Sequence, residues 1–203
     1  ANGISMQMIS YLEVLKKNNK FFAQGKNLDV LGAFYQNITS SLERLSSDKM
    51  ILSNYQIKDL LKESTKKLMY NGILIADEEI LDLIEPGMEK DRANSEIYSS
   101  VKRKVNGDIS WPRNQSFTPD QLELLLAYNS YLIKNAGSEI LSGKIKLDPY
   151  TYGQQSSLTY SDFKDIFFFD AMLKENNYHK IKAIDKKTLL NLIKEKLDLD
   201  GDE

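Results

Sequence analysis

Not one of the 203 residues is a cysteine, so this chain must be held in its fold by packing, hydrogen bonds and charge alone. Disulfides, zinc–thiolate sites, thiol nucleophiles and cysteine-held iron–sulfur clusters are excluded together, and His179 is the only imidazole. The chain is long enough to manage without such staples. With 41% apolar and 28% charged residues it has the makings of one globular domain or a large piece of one, which rules out a peptide hormone or a disordered tail. The 27 basic and 29 acidic residues nearly cancel, so any contact with nucleic acid must come from a local patch. No apolar run approaches the roughly 20 residues of a membrane span. No basic segment leads into an apolar stretch and a cleavage site. A soluble cytoplasmic protein with no membrane partner is therefore expected. The chain starts at Ala1 and its helical pattern begins almost at once, so an upstream half is expected to be missing.

Between Ile4 and Lys17 the residues Ile4, Met8, Tyr11, Leu12 and Leu15 recur at steps of three and four. This predicts an amphipathic helix with Gln7 beside its apolar stripe. Beyond the break at Gly25 to Asn27, Val30-Leu31-Gly32-Ala33-Phe34-Tyr35 has the length of a buried strand, with Gly32 permitting close backbone approach. Residues 40–54 read as polar and irregular. A second helix is expected from Ile57 onward until Asn71-Gly72 stops it in a left-handed cap. Asp77 should cap a short helix carrying Ile80, Leu81 and Ile84, which Pro86-Gly87 ends ahead of a polar loop over 88–95. Asn106-Gly107, between Ile97 to Val105 on one side and Ile109 and Trp111 on the other, signals a hairpin with a two-residue turn. Thr118-Pro119-Asp120-Gln121 combines a hydroxyl cap, a proline at the first helical position and a returning glutamine, and predicts a long helix to about Leu141. Pro149 to Ser157 should be an extended loop, and Ser161 should cap a helix over Asp162 to Leu173. Tyr178 to Ile184 suggests a short strand. Asp185 should then cap a last helix with Leu189, Leu190, Ile193 and Leu197 on one face, before an acidic tail from Asp198. The sum is a helix-rich α+β, or mixed α/β, single fragment over 1–203 without internal repeats.

Several groups could carry chemistry. Gln7 and Tyr11 stand one helical turn apart and point the same way, offering two polar groups to one ligand or simply a surface glutamine beside a half-buried tyrosine. Lys102-Arg103-Lys104 could contact phosphate or could be a solvated hairpin edge. Asp162 and Lys164 have the Asp-x-Lys spacing of metal-dependent nucleases, yet they open a helix, where the dipole also favours an aspartate. Phe167-Phe168-Phe169 could stack on bases, although Ile166, Phe169 and Leu173 at helical spacing read better as core. His179 lacks a nucleophile at interpretable spacing and reads as a surface or strand-edge residue. The tail from Asp198 to Glu203 is too short for a calcium loop.

The order of these segments is more specific than any one of them. Gly3-Ile4-Ser5-Met6-Gln7-Met8-Ile9-Ser10-Tyr11-Leu12-Glu13-Val14, followed by Gly32-Ala33-Phe34-Tyr35, resembles the glutamine–tyrosine helix and next strand of RecB-like nucleases. It looks most like the B subunits of the AddAB/RexAB helicase–deoxyribonucleases. Asn71 to Glu79, the capped helix from Thr118, and Ile140 to Tyr150 resemble those proteins in the same order. In AddB-type relatives the segment matching Leu158 to Asp170 carries three cluster-binding cysteines. This chain has Leu158, Ser161 and Phe167 at those positions, as in the RexB branch without the cluster. The resemblance implies a partial RecB-like nuclease fold with a C-terminal helical wrap. Residues 1–117 would form the distal part of the nuclease core with an insertion and hairpin, and 118–203 the region replacing the cluster, with an apolar plug in its place. It further implies DNA as substrate and a helicase–nuclease A subunit (AddA/RexA) as partner, in repair and recombination. Magnesium would be held by carboxylates and assisted by a lysine, all upstream of Ala1. Gln7 and Tyr11 would orient the substrate backbone or a metal-bound water, and the fragment alone would be inactive, with no metal or iron–sulfur site of its own.

Overall fold

A computed structural model of the chain describes residues 6–26, 29–36, 68–89, 93–98, 100–144, 147–159, 161–170, 172–174 and 176–199. Helices combine with small mixed sheets in an α+β arrangement. The chain divides into two compact units, one made by Gln7–Leu126 and the other chiefly by Ala127–Glu203. The division falls inside a helix that starts at Pro119.

The first unit is organised by a three-stranded sheet in the order β1 (Gly32–Tyr35), β2 (Asn71–Ile75), β5 (Ser116–Phe117). β1 runs antiparallel to β2, with Gly32 opposite Leu74 and Phe34 opposite Gly72; β5 joins the other edge of β2 in parallel. Because successive side chains on a strand point to opposite faces, neighbouring residues of β2 serve two separate cores. Leu74 enters a cluster with Leu81, Met88, Tyr98 and Val101, against which Phe34 and Trp111 pack. Ile75 enters another with Leu12, Leu122 and Leu126, joined by Ile9 and Ala33.

The strand at Asn71–Ile75 corrects the sequence reading. Asn71-Gly72 is not a helix cap but the start of β2, and Gly72 is needed because a Cβ there would collide with the carbonyl oxygen of Ala33. A two-residue turn signal and a tightly paired glycine look alike in sequence; only the partner strand tells them apart. The helix expected from Ile57 lies outside the described residues as far as Lys67, and Tyr70 forms an isolated bridge with Tyr98. Phe34, Tyr70 and Tyr98 make an aromatic cluster with centroids 5.2–6.3 Å apart.

α1 (Gln7–Lys17) packs on β1 through Ile9 and Leu12. The stripe is rotated from expectation, because Tyr11 and Leu15 are exposed while Glu13 is buried and takes a hydrogen bond from Lys17. α2 (Asn19–Phe22) follows directly. Asp77 caps α3 (Glu78–Ile84) by accepting from the Ile80 amide at 3.1 Å, as its position predicts. A short 3₁₀ turn, Pro86–Glu89, comes next. Met88 within it is almost fully buried, so the stretch expected to be a polar loop supplies core. β3 (Lys102–Arg103) and β4 (Ile109–Ser110) form the hairpin, but the loop inside its closing Lys104–Asp108 pair holds three residues rather than two. The Lys104 amide donates to the Asp108 carbonyl and Gly107 takes a φ of 86°, a left-handed position suited to glycine.

The capping box forms as read. The Gln121 amide donates to Thr118 Oγ1 at 3.3 Å and the Thr118 amide to Gln121 Oε1 at 3.2 Å, starting α4 (Pro119–Leu141).

In the second unit, the region expected to be an extended loop is a hairpin of β6 (Tyr150–Tyr152) and β7 (Gln155–Ser156), turning at Gly153. β8 (His179–Ile181) lies parallel to β6, with Tyr150 opposite His179. The helix expected from Asp162 to Leu173 shrinks to α5 (Lys164–Phe167), because Phe168 adopts the left-handed conformation and stops it; Phe163, not Ser161, stands at the cap without a side-chain bond. α6 (Lys186–Leu199) buries Leu190 and Ile193 on one face and is capped by Asp185, which accepts from the Thr188 hydroxyl at 2.5 Å.

Two outcomes follow from this packing. Gly72→Ala should cost about 1–3 kcal/mol in a urea melt, since the added methyl meets backbone that cannot move aside. The Thr188 hydroxyl bond holds the Asp185 carboxyl below its ordinary pKa. The cap is therefore fully formed above the unfolded value of about 3.9 and is lost as pH falls through the lower folded value. Protection of the first-turn amides of α6, taken relative to their intrinsic exchange rates at each pH, should fall on acidification across that window, and in Asp185→Asn it should no longer vary with pH there.

Candidate functional site

Gln7 and Tyr11 stand on the face of α1 turned away from Leu12 and the core. Their one-turn spacing lets Gln7 Nε2 donate to the Tyr11 hydroxyl oxygen at 2.9 Å. Tyr11 is 62% exposed rather than half-buried. With its oxygen occupied as acceptor, the phenol still has its proton to donate outward, and Gln7 keeps Oε1 as an acceptor. A donor and an acceptor held side by side on a rigid helix can orient a phosphate oxygen or a bound water; they are neither a base nor a nucleophile by themselves. β1, on which α1 packs, is an edge of its sheet among the described residues.

The Lys102-Arg103-Lys104 cluster does not act as one basic patch. Arg103 is 8% exposed, and all five of its donors are used. Nη1 donates to Glu78 Oε1 at 2.6 Å and to the Gly107 carbonyl at 2.9 Å; Nη2 donates to both oxygens of Asp82 at 2.7 and 2.9 Å; Nε donates to the Met88 carbonyl. The hydrogen bond to Glu78 leads in raising the Arg103 pKa further, so its charge is permanent. Alternation along β3 explains the split: Arg103 faces inward, while Lys102 and Lys104 are exposed. Arg103 is therefore withdrawn from any phosphate role.

The aromatic segment also departs from expectation. Phe169 is half-buried against Tyr178, with ring centroids 4.7 Å apart. Phe163, Ile166, Phe167 and Leu173 are exposed, and Phe168 and Met172 are 87% and 92% exposed. Leu158 and Ser161 are half-buried. Of the three positions where an apolar plug is expected, Phe167 is the exposed one, at the end of α5. None of those three positions offers iron a thiolate. Asp162 and Lys164 are exposed around the start of α5, and His179 is exposed on β8. Among the described residues, no group of three or more histidine, aspartate or glutamate side chains could hold a metal ion. Among them, too, no helix is long and apolar enough to cross a membrane.

One group escaped the sequence reading. Phe21 and Phe22 on α2 are both exposed, beside Lys20 and Lys26. The signal that could have found them was the run from Lys16 to Lys26, with four lysines and no carboxylate.

Comparison with known proteins supplies the wider setting. The chain is 98% identical over 203 residues to the B subunit of the ATP-dependent helicase/deoxyribonuclease of Lactobacillus gasseri, a match covering all of this chain and 18% of that protein. It is 90% identical over the same length to the protein of that name from Lactobacillus johnsonii, again with 18% of the relative covered. With the Lactobacillus helveticus protein of that name it shares 50% identity over 198 residues, 97% of this chain and 17% of the relative. The chain thus spans less than a fifth of the length of the curated relatives it matches. No protein-family model matches it.

The geometry separates the three basic residues experimentally. Arg103→Gln should destabilise the fold by about 2–3 kcal/mol, because it strips partners from two carboxylates and two carbonyls. Lys102→Gln and Lys104→Gln should each stay within about 0.5 kcal/mol in the same urea titration.

Proposed function

We propose that this chain, a fragment of the B-subunit family of ATP-dependent helicase/deoxyribonucleases, is the C-terminal portion of the nuclease domain of such a protein. The observation that carries the proposal is the match of the whole chain to these relatives, joined to a hydrogen-bonded Gln7–Tyr11 pair displayed on an open helix face. The resemblance to RecB-like nucleases gives that pair its role: it positions the backbone of single-stranded DNA or the attacking water. Magnesium, its carboxylates and the assisting lysine belong to residues preceding this segment in the whole protein. The described residues provide no such cluster, and no catalytic step is assigned to them. Alone, the chain is inactive. Whole, the protein pairs with an A subunit and processes broken double-stranded DNA ends for repair and recombination. The lack of thiolates at Leu158, Ser161 and Phe167 supports a reading as a member of the RexB branch.

A second reading, a noncatalytic protein-interaction module, draws on the exposed apolar segment from Phe163 to Leu173. Magnesium-dependent cleavage of end-labelled single-stranded DNA decides between them. The 203-residue chain should leave the DNA intact, and a version extended upstream should cut it. In the extended protein Gln7→Ala or Tyr11→Ala should slow cutting roughly tenfold or more without lowering the melting temperature. Cleavage by the short chain that disappears in Asp162→Ala would overturn the proposal and make Asp162 and Lys164 the site. An inert extended protein that still retains an A subunit would favour the interaction module.

A further inference from the structure

We infer that α2 and the turn after it form a binding surface for single-stranded DNA, with bases stacking on Phe21 and Phe22 and the phosphate backbone running past Lys20 and Lys26. The inference rests on the proposed function for its choice of DNA and adds binding residues that the Gln7–Tyr11 pair does not supply. Phe21 is 81% and Phe22 56% exposed, an unfavourable placement for two adjacent large apolar rings unless something covers them. They meet edge to face, with centroids 5.4 Å apart at 84°.

The charge beside them identifies the occupant. From Val14 to Leu28 the chain holds four lysines and no carboxylate, although its net charge is −2. Lys16 pairs with Glu123 and Lys17 with Glu13. No described carboxylate pairs with Lys20 or Lys26. Gln24 and Gly25 take left-handed φ values of 51° and 84°, and the Gly25 amide donates to the Lys20 carbonyl at 2.8 Å, so the turn that carries Lys26 closes directly onto α2. Exposed aromatic faces flanked by cations that no described carboxylate pairs match a strand that offers both π-faces and phosphates, whereas an apolar protein partner would supply the lysines no charge. α2 contacts α1, so a strand held here lies next to the helix that carries Gln7 and Tyr11.

Fluorescence anisotropy with a labelled oligothymidylate of about 15 nucleotides tests this on the 203-residue chain at low salt. The chain should bind, the Phe21→Ala/Phe22→Ala variant should bind at least tenfold more weakly, and Phe21→Trp should retain affinity. Lys20→Gln/Lys26→Gln should weaken binding and flatten its salt dependence. Circular dichroism should be the same for all, since the substituted side chains are exposed. No binding by the parent chain, or equal binding by the double phenylalanine variant, would overturn the inference. If that variant instead binds DNA normally but loses self-association, the rings cover a protein surface and the inference fails. Failure of the proposed function would show separately, as undiminished cleavage by Gln7→Ala and Tyr11→Ala in the extended protein.

Discussion

The first unit is arranged around one strand whose two faces enter different cores. β2 is hydrogen-bonded on both edges and places Leu74 and Ile75 in different cores, so the α1 and α4 layer and the α3 and hairpin layer both depend on its register. A shift by one residue would exchange the two cores at once. Register is secured where the strands come closest, at Gly32 and Gly72, each opposed to a large residue of the neighbouring strand. The outer layer then needs a fastener, and Arg103 provides it. One guanidinium ties the hairpin to α3, the 3₁₀ turn and its own loop, in a chain with no covalent cross-link to do so. Its carboxylate partners Glu78 and Asp82 lie one turn apart on α3, which is why a single planar fork can reach both.

Legibility in the sequence followed the range of the interactions. Helix starts set by two or three neighbouring residues were readable: the Asp77 cap, the Thr118–Gln121 box and the Asp185 cap all form where their spacing puts them. Features decided by distant partners were not. Asn71-Gly72 became a strand because β1 lies across it, Met88 was buried by residues from three other segments, and β6 was drawn out of an apparent loop by β8. The stripe of α1 was misplaced by the same logic, since the neighbours it packs on, Val30, Ala33, Ile75, Leu122 and Leu126, are remote in sequence.

The site divides along the same line. The Gln7–Tyr11 bond needs only helical spacing, and it was legible. Arg103 looked like its two lysine neighbours because strand alternation, which turns it inward, shows only once the hairpin register is known. Phe163 to Leu173 read as core because the left-handed residue that ends α5 is a phenylalanine, a type that gives no warning of such a conformation. What the sequence did carry, and what helical periodicity obscured, was the unbroken positive charge beside Phe21 and Phe22.

The parallel pairing of β6 with β8 bears on how such a segment can diverge. The stretch between them is pinned at its base by Tyr150 against His179 and by the His179 amide on the Pro149 carbonyl. Closing a loop grows only slowly more costly as it lengthens, so a stretch anchored this way can gain, lose or exchange its contents while its ends stay fixed. Lineages carrying ligands, aromatic residues or insertions between the same two strands would therefore keep an interchangeable cassette on an unchanged frame, and the neighbouring helices need not evolve in step with it.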